Sequence, residues 1–271
     1  MQPEMQEKST LSLPAEWELP DFTVKQYREK QTRYAVVIPV INEGERIRGQ
    51  LEAMRNAVLW ADVIVVDGGS TDGSLDDAFL RQTNVAALLV KTGRGRLSAQ
   101  LRIGLAYALT LDYEGIVTID GNGKDGFEAI PDFIAALDVG YGFVQGSRYI
   151  AGGIALRTPL DREIGVRFLH APLLSLAAGF RYTDTTNGFR AFSAAFLKDV
   201  RVQPFRDVFS AYNLHYYLSV RAPRLGYKVK ELPVRRAYPE SGKTPTKISG
   251  LAGRWLILRQ TFAAAFGCYN P

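Results

Sequence analysis

Three apolar segments of this sequence each run directly into polar or acidic residues. The junctions lie at residues 40–43, 66–73 and 119–122. Apolar runs of this length, bounded by glycine and polar residues, are typical of buried β-strands. In open α/β sheets, ligands bind where such strands end. The repetition therefore predicts one ligand site assembled from several strand ends.

The residue types at these junctions suit a nucleotide and a metal ion. Asp67 ends a buried strand, where a carboxylate can accept hydrogen bonds from a nucleobase or a ribose. A structural interpretation, in which Asp72 caps a helix and the glycines form a turn, accounts for Asp72 but not for Asp67. Asp120 and Asn122 either form a plain turn or offer oxygen ligands to Mg²⁺ or Mn²⁺. Such a metal stabilises a diphosphate leaving group without proton transfer.

A group of cations lies just before the helix predicted at residues 97–110. Lys91, Arg94 and Arg96 lie around Gly95. They form either an ordinary surface turn or a phosphate contact at the start of a helix.

The bulk composition fits one large α/β domain. The chain has 271 residues, of which 46% are hydrophobic, enough for a full core. Its single cysteine, Cys268, excludes an internal disulfide framework and suits a reducing compartment. We see no signal peptide and no apolar run of the roughly 18–20 residues that span a bilayer. These observations predict a cytoplasmic protein.

The net charge of +5 is concentrated in the C-terminal part of the chain. Between Arg221 and Arg259 there are ten Lys or Arg residues against two acids, Glu231 and Glu240. This stretch is either a solvated basic face or a loop that meets anions. No recognised nucleic-acid motif accompanies the charge, so we expect no nucleic-acid partner.

Apolar strands alternate with helix-length segments over the first half of the chain. This rhythm predicts an α/β fold, with a mostly parallel central sheet covered by helices on both faces. We expect an extension over residues 1–33, one domain over 34–248 and a C-terminal amphipathic helix and tail over 249–271. The predicted strands cover 34–40, 62–67, 84–90, 115–120, 142–147 and 226–233, and the predicted helices cover 43–58, 72–81, 97–110, 127–138, 162–178, 193–200, 210–221 and 251–265.

Several common catalytic patterns are absent or misplaced. Residues 121–126 match the GxGxxG pattern of dinucleotide-binding folds. That pattern belongs in the first strand-to-helix turn, which here is 39–43, so we treat the match as accidental. The sequence has no Gly-x-Ser-x-Gly elbow, P-loop or Cys/His cluster. His170 and His215, the two histidines, lie in apolar or aromatic surroundings typical of core or surface roles.

The order and spacing of the motifs together resemble the family 2 glycosyltransferases with the nucleotide-sugar-binding "A" fold. Within that family, the chain is most similar to the branch that transfers mannose or glucose to dolichyl or polyprenyl phosphate. The resemblance identifies residues 34–248 as a single nucleotide-sugar-binding domain. The segments that carry it are 37–43, 66–73, 95–104, 118–122, 145–153 and 184–191.

The resemblance implies a donor pocket along the strand ends, with the Asp120 segment facing the diphosphate. It also implies that Arg148 and Arg190 contact phosphates of the donor or the acceptor, because a guanidinium group binds phosphate oxygens bidentately. The residues expected to bind the nucleotide-diphospho-sugar are Pro39, Asn42, Glu43, Asp67, Gly69, Arg94, Gly95, Asp120, Gly121 and Asn122.

Three departures from the family pattern bear on the metal. The family's Asp-Asp-Gly-Ser reads Asp-Gly-Gly-Ser from Asp67, which removes one carboxylate. The family's Asp-x-Asp ends in Asn122, and a Gln often seen in that branch is Lys124. Either Lys124 replaces part of the metal's charge or Asp125 supplies the missing oxygen. The expected ligands for Mg²⁺ or Mn²⁺ are therefore Asp120, Asn122 and Asp125.

The resemblance implies an inverting glycosyltransferase whose donor is a nucleotide-diphospho-sugar. The acceptor is expected to be a phosphate-bearing lipid, such as a polyprenyl phosphate, or a growing cell-surface glycan. A hydroxyl acceptor needs a general base, for which Asp184 is the best-placed candidate, whereas an ionised phosphate needs none. Asp184, Arg148 and Arg190 are thus the expected catalytic residues.

Two other functions fit part of the pattern. A sugar-1-phosphate nucleotidyltransferase shares the alternation of strands and helices. It carries a glycine-rich Lys/Arg loop after its first strand, however, and residues 39–43 are not such a loop. A non-catalytic nucleotide-sugar-binding module would explain why Gly68 and Asn122 stand where the family has acids. Release of pyrophosphate would favour the first alternative, and binding without turnover the second.

A basic loop over residues 235–250 leads into the terminal helix. We expect Lys243 and Lys247 to bind the acceptor phosphate as this loop closes. The helix either packs an apolar stripe on the core or lies in a membrane interface, which would make the protein peripheral on the cytoplasmic face of a membrane. The stripe consists of Leu251, Trp255, Leu256, Leu258, Phe262 and Phe266.

Overall fold

The computed structural model describes residues 5–7, 11–55, 59–240 and 250–271. The chain divides into two compact units. The first contains Met1–Gly123 and Pro204–Ala211, and the second contains Lys124–Gln203 and Tyr212–Pro271. Both combine strands with helices, which confirms the predicted α/β class.

The first unit is built on a sheet with the strand order β1-β2-β5-β4-β3-β6. Strands β3 to β6 run parallel, whereas β2 is antiparallel to β5 and to β1. The strands are β1 (Met5–Glu7), β2 (Phe22–Gln26), β3 (Tyr34–Val40), β4 (Asp62–Asp67), β5 (Ala87–Lys91) and β6 (Gly115–Thr118), and the helices are α1 (Glu45–Met54), α2 (Asp77–Gln82) and α3 (Leu97–Thr110).

The register of the parallel strands places the predicted ligand-binding residues at one edge of this sheet. Val40 at the end of β3 pairs with Asp67 at the end of β4, and Val37 pairs with Thr118 at the end of β6. The strands β3 and β4 are almost completely buried, as expected for parallel strands covered on both faces. The polar residues that follow these two strands therefore lie next to each other, at the carboxyl ends of the buried strands.

Helix α3 packs closely against β3 and β4. The helix is buried along nearly its whole length. A Cβ atom placed on Gly104 would lie 2.5 Å from Val37 Cγ1 and 2.8 Å from Val66 Cγ2. The absence of a side chain at this position is therefore what allows the helix to approach the sheet.

The second unit contains a three-stranded sheet and a two-stranded sheet. In the first, β7 runs antiparallel to β9 and parallel to β10, and in the second β8 and β11 are parallel. The strands are β7 (Phe143–Ser147), β8 (Ile154–Leu156), β9 (Arg190–Ser193), β10 (Val229–Pro233) and β11 (Arg235–Ala237), and the helices are α4 (Ile130–Asp138), α5 (Leu160–Gly165), α6 (Ala171–Ala178), α7 (Ala194–Lys198), α8 (Asn213–Arg224) and α9 (Gly250–Ala265).

A π-helical turn, Val166–His170, joins α5 to α6, so that the two helices form one continuous segment. Aromatic rings fill the core of this unit. Phe133 stacks on Phe189 with ring centroids 4.4 Å apart, and Phe143 stacks on Phe192 at 5.4 Å.

Three features of the fold differ from the sequence-based expectation. The predicted extension contributes β1 and β2 to the first sheet, and β2 pairs with β5 because its alternating Phe22 and Val24 are buried. Helix α2 begins at Asp77 rather than at residue 72, because Asp76 is the residue that caps it, accepting a bond from the Phe79 amide at 2.9 Å. Strands β8, β9 and β11 were not predicted.

The terminal helix α9 has the opposite orientation to the one that an apolar stripe docked on the core would require. Gln260 and Thr261 are buried, whereas Trp255, Phe262 and Phe266 are exposed by 68, 40 and 77%. No helix within the described part of the chain has the length and apolar character needed to cross a bilayer.

The contrast between two helical glycines gives a direct test of the α3 packing. Gly104→Ala should destabilise the protein by about 1–3 kcal/mol, because the added methyl group overlaps Val37 and Val66. Gly49→Ala in α1 is the matched control, since its Cβ would meet nothing within 4 Å, and it should stabilise by about 0.5–1 kcal/mol. Urea unfolding of both variants measures the difference, and equal midpoints would show that α3 is not closely packed.

Candidate functional site

The loops that follow β3 and β4 are joined by side-chain hydrogen bonds. Ser70 donates from its amide and its hydroxyl to Asp67 Oδ1, at 2.9 and 2.6 Å. The same hydroxyl accepts from the Asn42 amide at 2.9 Å, and Asn42 Oδ1 accepts from the Thr71 amide at 2.8 Å. Asp67 and Asn42 are therefore held in fixed positions at the edge of the sheet before any ligand arrives.

Two more of the expected nucleotide-binding residues belong to the same pair of loops. Glu43 accepts from Arg46 Nη2 at 2.7 Å. Gly69 has φ +96°, a conformation that residues with a side chain rarely adopt, so the turn requires glycine there. Pro39 lies one residue before the end of β3, opposite Val66. The structure thus brings Pro39, Asn42, Glu43, Asp67 and Gly69 to adjacent strand ends.

Gln100 on α3 lies close to the position where the family motif has its second acid. Its Nε2 donates to the carbonyls of Val40 and Val66, both at 2.8 Å. A Cβ on Gly68 would lie 3.1 Å from this same Nε2 and 3.2 Å from Ile41 Cβ. A side chain at position 68 would therefore require Gln100 or Ile41 to shift by a few tenths of an ångström.

The triplet that follows β6 holds one carboxylate beside one amide. The Asn122 Nδ2 atom lies 3.4 Å from Asp120 Oδ2, and both side chains are half-buried. A Cβ on Gly121 would lie 2.7 Å from Val40 Cγ2, so glycine lets the turn pass close to β3.

These two side chains provide a suitable, although incomplete, set of metal ligands. Within the described ranges, no three His, Cys, Asp or Glu side chains form a group that could hold a metal ion. Mg²⁺ is often held by one or two protein carboxylates together with substrate phosphates and water. Asp120 and Asn122 therefore fit a divalent cation that binds with a nucleoside diphosphate.

The start of α3 is less available to a phosphate than the sequence indicated. The amides of Arg96 and Ser98 donate to the carbonyls of Ser210 and Ala211, at 2.6 and 2.7 Å. These amides would otherwise be the anion-binding groups of the helix start. Arg94 itself is exposed, and so is Gly95, whose φ is +111°. A phosphate contact in this loop would come from side chains. Arg94 and Arg96 are exposed, whereas Lys91 Nζ donates to the Gly93 carbonyl at 2.8 Å.

In the second unit, Arg148 and Asp184 form a buried ion pair. Arg148 Nε and Nη2 donate to the two carboxylate oxygens of Asp184, at 2.6 and 3.0 Å. Burial raises the pKa of Asp184, but the charge and hydrogen bonds of Arg148 outweigh it, so the pKa lies below its usual value. Thr186 donates to Asp184 from its amide and its hydroxyl. Both oxygens of this buried carboxylate accept hydrogen bonds within the unit, an arrangement that disfavours the general-base role expected for Asp184.

Arg190 lies in the interior of the second unit. It is completely buried, and its guanidinium donates to the carbonyls of Asn187, His215 and Thr185, at 3.0, 2.6 and 2.8 Å. These bonds favour a structural role for Arg190, and the phosphate contact that the resemblance implies stays a prediction.

His170 links the Asp184 loop to the terminal helix. Its Nδ1 lies 2.7 Å from Thr185 Oγ1, and its Nε2 lies 2.9 Å from Thr261 Oγ1 on α9. Since Thr261 donates its hydroxyl proton to the Ile257 carbonyl, His170 Nε2 must be the donor to Thr261. Burial, followed by the nearby charge of Arg190, lowers the pKa of His170 from 6.5 to about 3.

Asp125, the third expected metal ligand, is bound to another partner. Its carboxylate is fully buried and accepts a hydrogen bond from Arg236 Nη1. The two residues also form a backbone bridge. The ion pair with Arg236 disfavours Asp125 as a metal ligand, and that role stays a prediction.

Tyr238 lies at the centre of a group of cations. Lys124 Nζ is 5.1 Å from the centre of its ring, and Arg162 Nη1 is 3.4 Å from its hydroxyl. Burial raises the pKa of Tyr238, but the positive charges of Arg236, Arg162 and Arg148 outweigh it, so the pKa lies below its usual value. The second unit therefore has a local excess of positive charge around Tyr238. Lys243 and Lys247 lie outside the described residues.

Comparison with known proteins places the chain in a family. The family model of glycosyl transferase family 2 matches residues 35–201, more than half of the chain. The chain belongs to glycosyltransferase family 2. It is therefore an enzyme that transfers sugars, which confirms the predicted class.

Curated relatives of this family 2 glycosyltransferase match most of its length. An undecaprenyl-phosphate mannosyltransferase from Micrococcus luteus is 28% identical over 84% of this chain and 98% of its own. A polyprenol monophosphomannose synthase from Mycolicibacterium smegmatis is 27% identical over 80% of this chain and 82% of its own.

A solved structure shares the fold of the enzyme. It is glucosyl-3-phosphoglycerate synthase from Mycobacterium tuberculosis, in complex with Mn²⁺, uridine diphosphate and glucosyl-3-phosphoglycerate. The TM-score is 0.61, with 19% identity over 88% of this chain and 80% of that one. The likeness at this identity confirms the fold.

Sequence reasoning missed Gln100 and Tyr238 as residues that shape the two units. The signal for Gln100 was an amide side chain in the first turn of a mostly apolar helix. The signal for Tyr238 was its position two residues after Arg236 and one before Pro239. Neither position identifies its contacts without the structure.

The buried His170 predicts acid sensitivity. Its pKa is 6.5 when unfolded and about 3 when folded, so the unfolded state binds the extra proton between these values. The free energy of unfolding should therefore fall as the pH drops from 6.5 towards 3, by up to ~1.4 kcal/mol per pH unit. His170→Gln, which cannot titrate, should lack this contribution. Urea unfolding over a pH series measures both proteins, and parallel pH profiles would contradict the prediction.

Proposed function

We propose that this glycosyltransferase transfers a hexose from a nucleotide-diphospho-sugar to the phosphate of a polyprenyl phosphate, with inversion at the anomeric carbon. A phosphate oxygen of the acceptor forms the new bond to that carbon, and the bond to the nucleoside diphosphate breaks. Both curated relatives described above are named for lipid-phosphate mannose transfer, which supports this acceptor class.

The observation that carries the proposal is the absence of an available base at the expected position. Asp184 is fully buried and bonded by Arg148 and Thr186. A hydroxyl acceptor must lose a proton during the transfer, whereas a phosphate monoester is already ionised near neutral pH and needs no base. The local chemistry of the second unit therefore suits an anionic nucleophile.

The cations around Tyr238 provide a place for that anion. Lys124 and Arg162 lie beside the tyrosine ring, and Arg157 Nε donates to the Tyr238 carbonyl at 2.8 Å. Because these cations lie around one ring, we assign the acceptor phosphate to the neighbourhood of Lys124 and Arg162, and Lys243 and Lys247 stay predicted acceptor contacts.

The donor nucleotide is assigned to the strand ends of the first unit. Asp67 uses part of its hydrogen-bonding capacity on Ser70 and, as a carboxylate with about four acceptor sites, retains capacity for a ribose or a base. Asp120 and Asn122 would hold a divalent cation on the diphosphate. When bound, the cation would neutralise the charge that develops on the leaving nucleoside diphosphate.

The enzyme is proposed to work at the cytoplasmic face of a membrane. The single cysteine, Cys268, is exposed and free, which suits a reducing compartment. A polyprenyl chain would place the acceptor in the bilayer, so a peripheral enzyme could reach the phosphate from the surface.

A transfer assay tests the function directly. The protein is incubated with UDP-, GDP- or dTDP-hexoses and a short polyprenyl phosphate in detergent, and products are identified by mass spectrometry. We expect equal amounts of glycosylated lipid phosphate and nucleoside diphosphate, and no product with the matching polyprenol that lacks phosphate. Release of pyrophosphate, or transfer only to phosphate-free glycans, would refute the proposal.

Removing the Asp67 carboxylate should weaken donor binding. Asp67→Ala loses a charge-assisted hydrogen bond worth about 1.5–3 kcal/mol, so nucleotide affinity should drop roughly tenfold or more. Glu52→Ala, which removes an exposed carboxylate from α1, is the control and should bind normally. Calorimetric titration with nucleoside diphosphates measures the affinity of each variant, and thermal unfolding checks that the variants are folded. Unchanged affinity would remove Asp67 from the site.

Restoring the second acid should strengthen the dependence on metal. Asn122→Asp places a second carboxylate beside Asp120, so Mn²⁺ should bind more tightly in the presence of a nucleoside diphosphate, by roughly tenfold. Asn122→Ala is the control and should bind Mn²⁺ no better than the natural protein. Calorimetry measures the affinity, and activity in EDTA measures the requirement. A natural enzyme that is inactive in EDTA, together with an unchanged Asn122→Asp variant, would exclude these two residues as ligands.

A further inference from the structure

The N-terminal segment of this protein crosses the edge of the first sheet at which the donor is proposed to bind. Strand β2 is antiparallel to β5, with Phe22 paired to Lys91 at the end of β5. The residues just before β2 therefore lie at the carboxyl ends of the parallel strands. Asp67 at the end of β4 pairs with Val90, so this edge also contains the proposed nucleotide site. We call residues 14–21 the N-terminal strap.

The strap is bonded to the loop that follows β5. The amides of Thr92 and Gly93 both donate to the Asp21 carbonyl at 2.9 Å. A Cβ atom on Gly93 would lie 2.6 Å from the Asp21 amide nitrogen, so glycine is what allows the two segments to come so close. The strap thus fixes the first end of residues 92–96, which we call the Arg94 loop.

The other end of the Arg94 loop is fixed by residues 204–211, which also belong to the first unit. The Arg96 amide donates to the Ser210 carbonyl at 2.6 Å. Arg94 has a glycine on each side, and glycine leaves the backbone many accessible conformations. The two anchor points therefore determine where the exposed Arg94 side chain can reach.

Arg102 on α3 joins the two anchors. Its Nη1 donates to the Glu18 carbonyl of the strap and, at 3.3 Å, to the Phe205 carbonyl. Arg102 is buried, and its Nε has no hydrogen-bond partner in the described part of the chain. Burying a guanidinium with an unbonded nitrogen is unfavourable, so packing alone does not explain an arginine at this position. What the arginine provides is a bond to each anchor.

Two further contacts attach the strap to the segment around Phe205. The rings of Trp17 and Phe205 pack with their centroids 4.2 Å apart. The Asp207 amide donates to Glu18 Oε2 at 2.7 Å. Burial lowers the pKa of Arg102, and the negative charges of Asp207 and Glu18 act against that shift. These contacts make the strap an ordered part of the first unit, attached to both ends of the loop.

We propose that the N-terminal strap is a positioning element for donor binding, and that Arg102 is the positioning residue that fixes it. By anchoring both ends of the Arg94 loop, the strap keeps the Arg94 guanidinium beside the proposed nucleotide site, where it can bond a donor phosphate. Arg102 is buried and acts through Arg94. The inference rests on the proposed donor site, and the strap lies outside residues 35–201 that the family model matches.

Calorimetric titration of the full chain with UDP, GDP and dTDP tests the proposal. The diphosphate that the natural protein binds most tightly is then used for every variant. Arg94→Ala should weaken binding roughly tenfold, because it removes a charge-assisted bond to phosphate. Arg102→Met should produce part of the same loss, about fivefold. The double variant Arg94→Ala, Arg102→Met should bind no more weakly than Arg94→Ala alone, since Arg102 acts only through Arg94.

Two more variants separate positioning from stability. Trp17→Ala loosens the strap and leaves α3 unchanged, so it should weaken nucleotide binding in the same direction as Arg102→Met. Arg28→Met is the matched control, because Arg28 belongs to the same extension but pairs with Asp62 at the start of β4, the opposite edge of the sheet, at 2.6 Å. It should lower the free energy of unfolding and leave nucleotide affinity unchanged. A partly unfolded variant lowers the stoichiometry of the titration and not the affinity.

Three results would overturn the proposal. Natural affinity in both Arg102→Met and Trp17→Ala would show that the strap only stabilises the fold. Unchanged affinity in Arg94→Ala would remove the loop from the donor site, and additive losses in the double variant would show that Arg102 does not act through Arg94. Because the titrations use no acceptor, these results are independent of the acceptor class. A natural protein that binds none of the three diphosphates would instead refute the donor site itself, and the inference with it.

Discussion

The buried ion pair between Arg148 and Asp184 is the constraint on which the second unit depends. Two charges removed from water are tolerated only when each is hydrogen-bonded, and breaking such a pair typically costs 3–5 kcal/mol. The surrounding loop supplies the remaining bonds. Thr183 and the Asp184 amide donate to Glu231, whereas Thr186 donates to the Asp184 carboxylate. The rigidity of this loop follows from the need to keep both charges satisfied.

Hydrogen bonds connect the Asp184 loop to the terminal helix, and an ion pair connects it to the cations around Tyr238. Thr185, next to Asp184, is bonded to His170, and His170 is bonded to Thr261. On the other side, Arg236 pairs with Asp125, and Arg148 pairs with Asp184. Even with these pairings, the positive charges of Arg236, Arg148 and Arg162 together keep the pKa of Tyr238 below its usual value.

Much of the first unit could be predicted from the sequence because its signals are local. The β3 and β4 strands and the α3 helix occupy the predicted residues, since apolar runs and glycine turns define them along the chain. The roles of Asp184 and Arg190 could not be predicted in this way. The sequence of a family motif is the same whether its charged residue contacts a substrate or pairs with a buried residue that is distant in sequence. The orientation of α9 could not be predicted for a similar reason. Gln260 and Thr261 are bonded to Tyr212 and His170, which are distant in sequence.

Gln100 has a consequence for how this enzyme can change over time. Because a Cβ on Gly68 would lie 3.1 Å from its amide, an aspartate at position 68 would press on the group that bonds the carbonyls of Val40 and Val66. A return to the common family motif would therefore be felt at position 100, on another element, as well as at position 68.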